Sequence, residues 1–228
     1  MPAPRVWLFD LDNTLHDASQ ASMQGINAGM TAYIARELGL PEAEADSLRR
    51  HYWVRYGATL LGLVRHHGVQ VPHFLHHTHL LPGLEQRVRG HAHDVAALQR
   101  LRGRKFILTN APAAYAARVL GVLGIAHCFD GVIAIEDMHM FGQLRPKPDA
   151  RMLRRTAARL GVAPSRCVLV EDTLEHQKSA RRVGMTTVWM QRWSRRAGAV
   201  GTTARLCRRP AYVDLRVSRL QALVDAVA

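Results

Sequence analysis

The residues of this chain best suited to chemistry are two acidic pairs, a lysine between prolines and a threonine–asparagine step. In FDLDNTL, Asp10 and Asp12 stand two positions apart just after the apolar run Val6–Phe9. On a strand continuing through them, both side chains would face the same way. Two close carboxylates repel, so such a pair requires a shared proton or a cation. Magnesium is the economical cation, because it is hard and takes oxygen ligands. Thr109-Asn110 closes the apolar run Phe106–Thr109 and offers a hydroxyl and backbone amides to a phosphoryl oxygen. Lys147 lies in LRPKPD between Pro146 and Pro148, which restrict the local backbone and so where its stem can go. Glu171-Asp172 follows Val168–Val170 as a second acidic pair. Taken singly, each has an ordinary explanation: acids cap helices, threonines end strands and lysines are solvated. What points to a common site is their order, each at the end of an apolar run or in the loop beside one.

The elements that would position these groups are short apolar runs alternating with helical stretches. Val6–Phe9, Phe106–Thr109, Val132–Ile135, Val168–Val170 and Thr186–Met190 read as buried strands. Helices are expected at Ala113–Leu123 after Pro112, at Ala150–Leu160 before Gly161 and at Gln177–Val183 before Gly184. A last strand near Tyr212–Leu215 and a helix over Ser218–Ala226 complete the pattern. The expected class is α/β, a doubly wound parallel sheet with helices on both faces. In such sheets ligands bind outside the carboxyl ends of the strands, where every candidate group falls. From about Ala18 to Leu101 the alternation stops. Ser22–Leu38, Glu42–His51 and Thr59–His67 are helix-like, Gly39-Leu40-Pro41 is a breaker and no strand is evident. This predicts a helical insertion over 17–91 in a core made of 1–16 and 92–228, with HAHD (His91–Asp94) where the chain returns to the core.

Composition bounds the remaining possibilities. The 228 residues are 48% hydrophobic, a globular balance. No apolar run approaches the roughly 20 residues that span a bilayer. Acids follow the first apolar run at once, unlike a signal peptide, and the chain reads as cytoplasmic. Cys128, Cys167 and Cys207 are scattered, which suits free thiols better than a disulfide framework or zinc module. Lys and Arg number 31 against 18 Asp and Glu, for a net charge of +13. The arginines are not interleaved with aromatics as in a single-strand groove, so nucleic acid is not expected as the main partner. Arg192–Arg209, rich in Arg, Gly and Thr, reads as a mobile surface loop.

The series FDLDNTL, ILTNA, RPKPD and VLVEDT resembles the four motifs of the haloacid dehalogenase-like hydrolase superfamily, over roughly Val6 to Met190. The insertion is similar to that superfamily's helical cap, and the resemblance implies a Rossmann-like core. Within the superfamily the chain looks most like the pyrimidine 5'-nucleotidase group. The supporting features are Asn13 in DNTL, where glycine is common elsewhere, and YGATLLGL (Tyr56–Leu63). The resemblance implies that Asp10 attacks phosphorus and forms an aspartyl-phosphate, and that Asp12 protonates the leaving oxygen and then deprotonates water. It implies Mg2+ on the Asp10 carboxylate, the Asp12 carbonyl and Asp172, with Glu171 acting through water or behind the ligands. Thr109, Asn110 and Lys147 would hold phosphoryl oxygens. Many relatives carry Asn or Asp four residues after the last motif's aspartate; here the residue is His176.

Nine of the 13 histidines lie between His51 and His93, four of them in HFLHHTH. Zinc or nickel is one use for them and a polar surface the other. Tyr56 and Thr59 are candidate substrate contacts, against helix packing for the first and a helix start for the second. The expected substrate is a small phosphorylated metabolite, foremost a pyrimidine nucleoside 5'-monophosphate, with phosphoglycolate or a sugar phosphate as the alternative. An arginine-rich nucleic-acid-binding protein on the same scaffold is the non-enzymatic reading. A dehalogenase would leave Asp12 without a task, and nothing in the sequence demands a mutase. The expected assembly is a monomer or homodimer.

Overall fold

The computed structural model describes residues 5–193 and 208–227. Cys207 and most of Arg192–Arg209 lie outside them. Six strands form one parallel sheet: β1 Val6–Phe9, β2 Arg104–Leu108, β3 Gly131–Ile133, β6 Cys167–Glu171, β7 Thr186–Met190 and β8 Leu215–Val217. A two-residue antiparallel hairpin, β4 His139–Met140 with β5 Gln143–Leu144, stands apart from it. The sheet order is β3-β2-β1-β6-β7-β8. The chain therefore builds outward from β1 in one direction, then crosses back and builds in the other, with Val6 paired to both Arg104 and Cys167. The reversal lies between β1 and β6, where a crevice opens at the carboxyl ends of the strands.

Alternation explains how β1 is buried along its whole length. Val6 and Leu8 join a cluster with Leu108, Leu169 and Met152, Leu153 and Ala157 of α9 (Ala150–Arg159). Trp7 and Phe9 face the other way; their rings stack at 6.2 Å and Phe9 meets Phe129 edge-on at 5.8 Å. Two apolar faces on one strand require cover on both sides of the sheet. The covering helices of this unit are α7 (His93–Arg100), α8 (Ala113–Leu123), α9, α10 (Leu174–Arg182) and α11 (Gln221–Val227).

The described residues divide into two compact units, Gln20–Arg87 and the chain on either side of it. The first of these holds α2 (Met23–Leu38), α3 (Glu42–Tyr56), α4 (Thr59–His67), α5 (Val71–Thr78) and α6 (Leu84–Arg87). A short α1 (Ala18–Ala21) spans the boundary between the units. Gly39 ends α2 at φ +66° and Gly57 ends α3 at φ +78°, left-handed caps that a side chain would disfavour. Its core is made by Tyr33, Ile34, Leu63, Phe74 and Leu84. Among the described residues no helix is long and apolar enough to cross a membrane.

Several boundaries differ from expectation. The expected α3 stops at His51, but the helix runs on to Tyr56, because the buried Tyr52 packs against Gly62. The expected last strand starts at Tyr212. In the structure Asp214 accepts from the Thr187 amide at 2.9 Å and its hydroxyl at 3.0 Å, turning the chain before β8 begins at Leu215. Arg192, expected at the edge of a loose loop, is buried and donates twice to Asp94 of α7.

Candidate active site

The site begins where β1 stops. The strand ends at Phe9, and the Asp10 amide donates to Val170 O of β6 at 2.9 Å, placing Asp10 at the switch point. Because β1 ends at Phe9, pleat alternation alone does not orient Asp12, although its charge acts on Asp10. The Asp12 carboxylate meets His16 Nε2 at 2.9 Å and the Tyr115 hydroxyl, which donates at 2.7 Å.

Lys147 reaches the switch point from the loop before α9 and is 1% exposed. Its ammonium donates to Asp10 Oδ1 at 2.6 Å and to Glu171 Oε2 at 2.7 Å. Glu171 is the last residue of β6 and Asp172 follows it. Oxygens of Asp10, Glu171 and Asp172 all lie within 4.8 Å of one another, the one such set of potential metal ligands among the described residues. The sheet thus converges β1, β6 and the lysine loop on one point.

Charge at that point is unbalanced. At this spacing, each pair of ionised carboxylates repels by about 3–4 kcal/mol for an effective dielectric near 20. One ammonium does not offset three of them. Burial, with the charges of Glu171 and Asp12, pushes Asp10 up to about 7 despite Lys147. Burial and the charges of Glu171 and Asp10 raise Asp172 well above the usual carboxylate range. Burial opposes ionisation of Glu171 too, but Lys147 and His176 outweigh it and hold this carboxyl below its usual range. Burial disfavours the Lys147 cation, yet Asp10 and Glu171 overcome that and hold its pKa above the ordinary lysine value. Ionisation is thus favoured at Lys147 and Glu171, whereas Asp10 and Asp172 resist it unless a further positive charge is supplied. An all-oxygen donor set in a buried setting fits a hard divalent ion such as Mg2+. Asp10, Glu171 and Asp172 are the carboxylates that could hold it.

Surrounding residues fix these groups. The Asn110 side chain pairs with the Lys147 main chain, accepting from its amide and donating to its carbonyl, both at 2.9 Å. The backbone amides of this step were expected at a phosphoryl oxygen; the Asn110 side chain ties the same step to the lysine loop. Thr109 is buried, and its hydroxyl oxygen accepts from the Ala111 amide at 3.0 Å, leaving the hydroxyl proton for an anionic oxygen. His176 Nδ1 lies 3.0 Å from Glu171 Oε2 but off the line of an N–H bond. It points into the site beside Glu171. Gln177, fully buried, donates to Glu171 O at 2.8 Å and Val188 O at 2.6 Å, joining the end of β6 to the middle of β7. Ser179 donates to Pro148 O and ties α10 to the lysine loop. Sequence reasoning missed Gln177, Ser179, His16 and Tyr115, and only the four-residue step from Asp12 to His16 was a local signal.

A family model described as a haloacid dehalogenase-like hydrolase matches residues 4–184. The chain belongs to the haloacid dehalogenase-like hydrolases. Among curated relatives of this hydrolase, "Phosphate metabolism protein 8" of Saccharomyces cerevisiae is 24% identical over 196 residues, covering 81% of this chain and 60% of that protein. "Fructose-1-phosphate phosphatase YqaB" of Escherichia coli is 36% identical over 80 residues, covering 35% of this chain and 40% of that one. The matches thus span less than two thirds of either relative's length. A crystal structure of a haloacid dehalogenase-like phosphatase from Thermococcus onnurineus shares the fold at a TM-score of 0.64 and 22% identity, covering 98% of both chains. L-2-haloacid dehalogenases share the fold as well.

In the helical unit of this hydrolase, Tyr56 and Thr59 make local contacts. The Tyr56 hydroxyl lies 2.5 Å from His66 Nε2 and accepts from Arg55 at 3.0 Å. Thr59 is buried and its hydroxyl donates to Arg49 O at 3.0 Å. The histidines pair with tyrosines and one another: His73 with the Tyr33 hydroxyl at 2.8 Å, His67 with that of Tyr52 at 2.8 Å, and the His73 and His77 rings at 4.4 Å. No three of them bring ligand atoms together as zinc requires, among the described residues.

Proposed function

We propose that this chain is a magnesium-dependent phosphatase acting on a small phosphate monoester, foremost a pyrimidine nucleoside 5'-monophosphate, through an aspartyl-phosphate on Asp10. The observation that carries this is the Lys147 ammonium shared between Asp10 and Glu171, with Asp172 in the same carboxylate cluster. A nucleophilic carboxylate needs positive charge beside it to meet an anionic phosphoryl group. Lys147 supplies part of that charge and holds Asp10 in place. An Asp10 oxygen bonds to phosphorus as the ester P–O bond breaks, and its electron pair leaves with the alkoxide. Asp12 gives the alkoxide a proton. Water then attacks phosphorus and yields its proton to Asp12, and the aspartyl P–O bond breaks to return the Asp10 carboxylate and free phosphate. The Thr109 hydroxyl and Lys147 hold the phosphoryl oxygens throughout. Asp10, Asp172 and the Asp12 carbonyl would hold a divalent ion, which would supply charge against the transferring group when bound.

Carbon–halogen displacement needs neither a metal nor a proton donor to a leaving oxygen, so Asp12 would have no task, which disfavours a dehalogenase. A sugar phosphate or phosphoglycolate is the second substrate reading, favoured by the relative named as a fructose-1-phosphate phosphatase. The proposed place of action is the cytoplasm, in keeping with free Cys128 and Cys167. A panel of phosphorylated metabolites, with Mg2+ or a chelator, tests the whole reading. UMP and CMP should release phosphate only with the metal. Asp10→Asn should lose at least about a thousandfold in kcat while keeping its circular dichroism spectrum. Weak turnover of UMP and CMP beside strong turnover of a sugar phosphate would shift the substrate. Substantial activity in the Asp10→Asn protein would end the nucleophile assignment.

A further inference from the structure

We propose that His16 and Tyr115 are positioning residues for Asp12, holding its carboxyl in the orientation from which it exchanges a proton with the leaving group. The inference deepens the phosphatase reading and rests on it. Asp12 Oδ1 lies 2.9 Å from His16 Nε2, and the Tyr115 hydroxyl donates to the same oxygen at 2.7 Å. The Tyr115 hydroxyl and His16 Nε2 are themselves 3.4 Å apart. Two contacts on one oxygen fix the plane of a carboxyl group, and with it the direction of the other oxygen. An Asp side chain otherwise turns broadly about its last torsion. A proton donor held within hydrogen-bond reach of the leaving oxygen needs that rotation restricted.

The two holders are built into separate elements. His16 is four residues after Asp12, and the two backbones form an isolated parallel bridge. Tyr115 lies in the first turn of α8, just after the Thr109-Asn110 step. Both are essentially inaccessible, at 0% and 1% exposure, whereas the Asp12 side chain remains 17% exposed. His16 also carries a burden that packing alone would not select. Its Nδ1 is buried with no hydrogen-bond partner, which costs about 1–3 kcal/mol. An apolar side chain in that position would avoid the penalty. The other nitrogen of the imidazole meets the proposed proton donor. With the imidazole proton on Nε2, Oδ1 accepts from both holders, and it remains an acceptor when the other oxygen of Asp12 carries a proton.

The consequence is a selective dependence on the leaving group. An alkyl phosphate such as a nucleoside 5'-monophosphate needs a proton on its departing oxygen; 2,4-dinitrophenyl phosphate does not. The ratio kcat/KM reports the steps through departure of that group, so later hydrolysis of the aspartyl-phosphate does not enter. Tyr115→Phe, which deletes one oxygen, and His16→Phe should each lower kcat/KM for the alkyl ester by ~10–100-fold. For the dinitrophenyl ester the loss should stay under ~3-fold by the same reasoning. His16→Gln, whose amide nitrogen can take the place of Nε2, should recover most of the alkyl-ester activity. Equal losses on both esters, or none on either in folded Tyr115→Phe protein, would overturn the positioning role. Wild type and Asp10→Asn run alongside on both esters. No turnover by wild type, or turnover by Asp10→Asn, would sink the phosphatase reading and this inference with it, a result distinct from an unselective His16 or Tyr115 effect.

Discussion

Asn110 shows how a side chain can act through the backbone it holds. Its side chain satisfies both main-chain groups of Lys147, so the ammonium is aimed at Asp10 and Glu171 by a clamp on its own backbone. Asn110→Ala should lower kcat on the best substrate by ~10–100-fold, since a displacement near 1 Å of a reacting group has effects of that size. It should also destabilise the fold by about 1–3 kcal/mol through the partners it strands. Steady-state kinetics and a urea titration on one preparation read both; unchanged kcat with lowered stability would confine Asn110 to a structural task. Asp10, Lys147, Glu171 and Asp172 could be picked out in the sequence because each is a polar residue ending an apolar run or lying between prolines. The partners of Asn110, Tyr115 and Gln177 could not, because a side-chain amide or hydroxyl carries no local sign of the distant backbone or carboxylate it will meet.

Elements were legible where hydrophobic period and breakers agreed. β1, β7 and α8 run as their sequences indicate, because apolar runs and glycine stops coincide. The β4–β5 hairpin was not anticipated: its strands are two residues each, too short for any period. The tail of α3, YWVRY, is not evident from the sequence because its aromatic and β-branched residues are modest helix formers; packing in three dimensions carries it. A Cβ added at Gly62 would fall well inside contact with the Tyr52 ring, whereas one added at Gly121 of α8 meets nothing within 4 Å. Gly62→Ala should therefore lose about 1–3 kcal/mol. Gly121→Ala should gain up to about 1 kcal/mol from helix propensity. Thermal melts of the two full-length variants should move in opposite directions, and a shift of the same sign in both would contradict the packing described.

At the scale of the molecule, the class of sheet was readable because buried parallel strands are continuous apolar runs, while long-range ties were not. Asp94 and Arg192 are both at least nine-tenths buried and joined by two hydrogen bonds. Asp94→Ala would strand the guanidinium, at an expected loss of about 3–5 kcal/mol. Glu37→Ala, at the exposed pair with Arg36, should lose no more than about 1 kcal/mol. Equal urea midpoints for the two variants would show that the buried pair acts like a surface one. The central place of β1 carries a consequence for biosynthesis. Of the sheet's strands it is the earliest translated, yet one neighbour arrives only at Arg104 and the other only at Cys167. Until the ribosome has released β6, the wholly apolar ribbon that leads to Asp10 keeps one edge open to strangers. Folding must wait on late synthesis, and the nascent chain should be a client of holding chaperones for most of its translation.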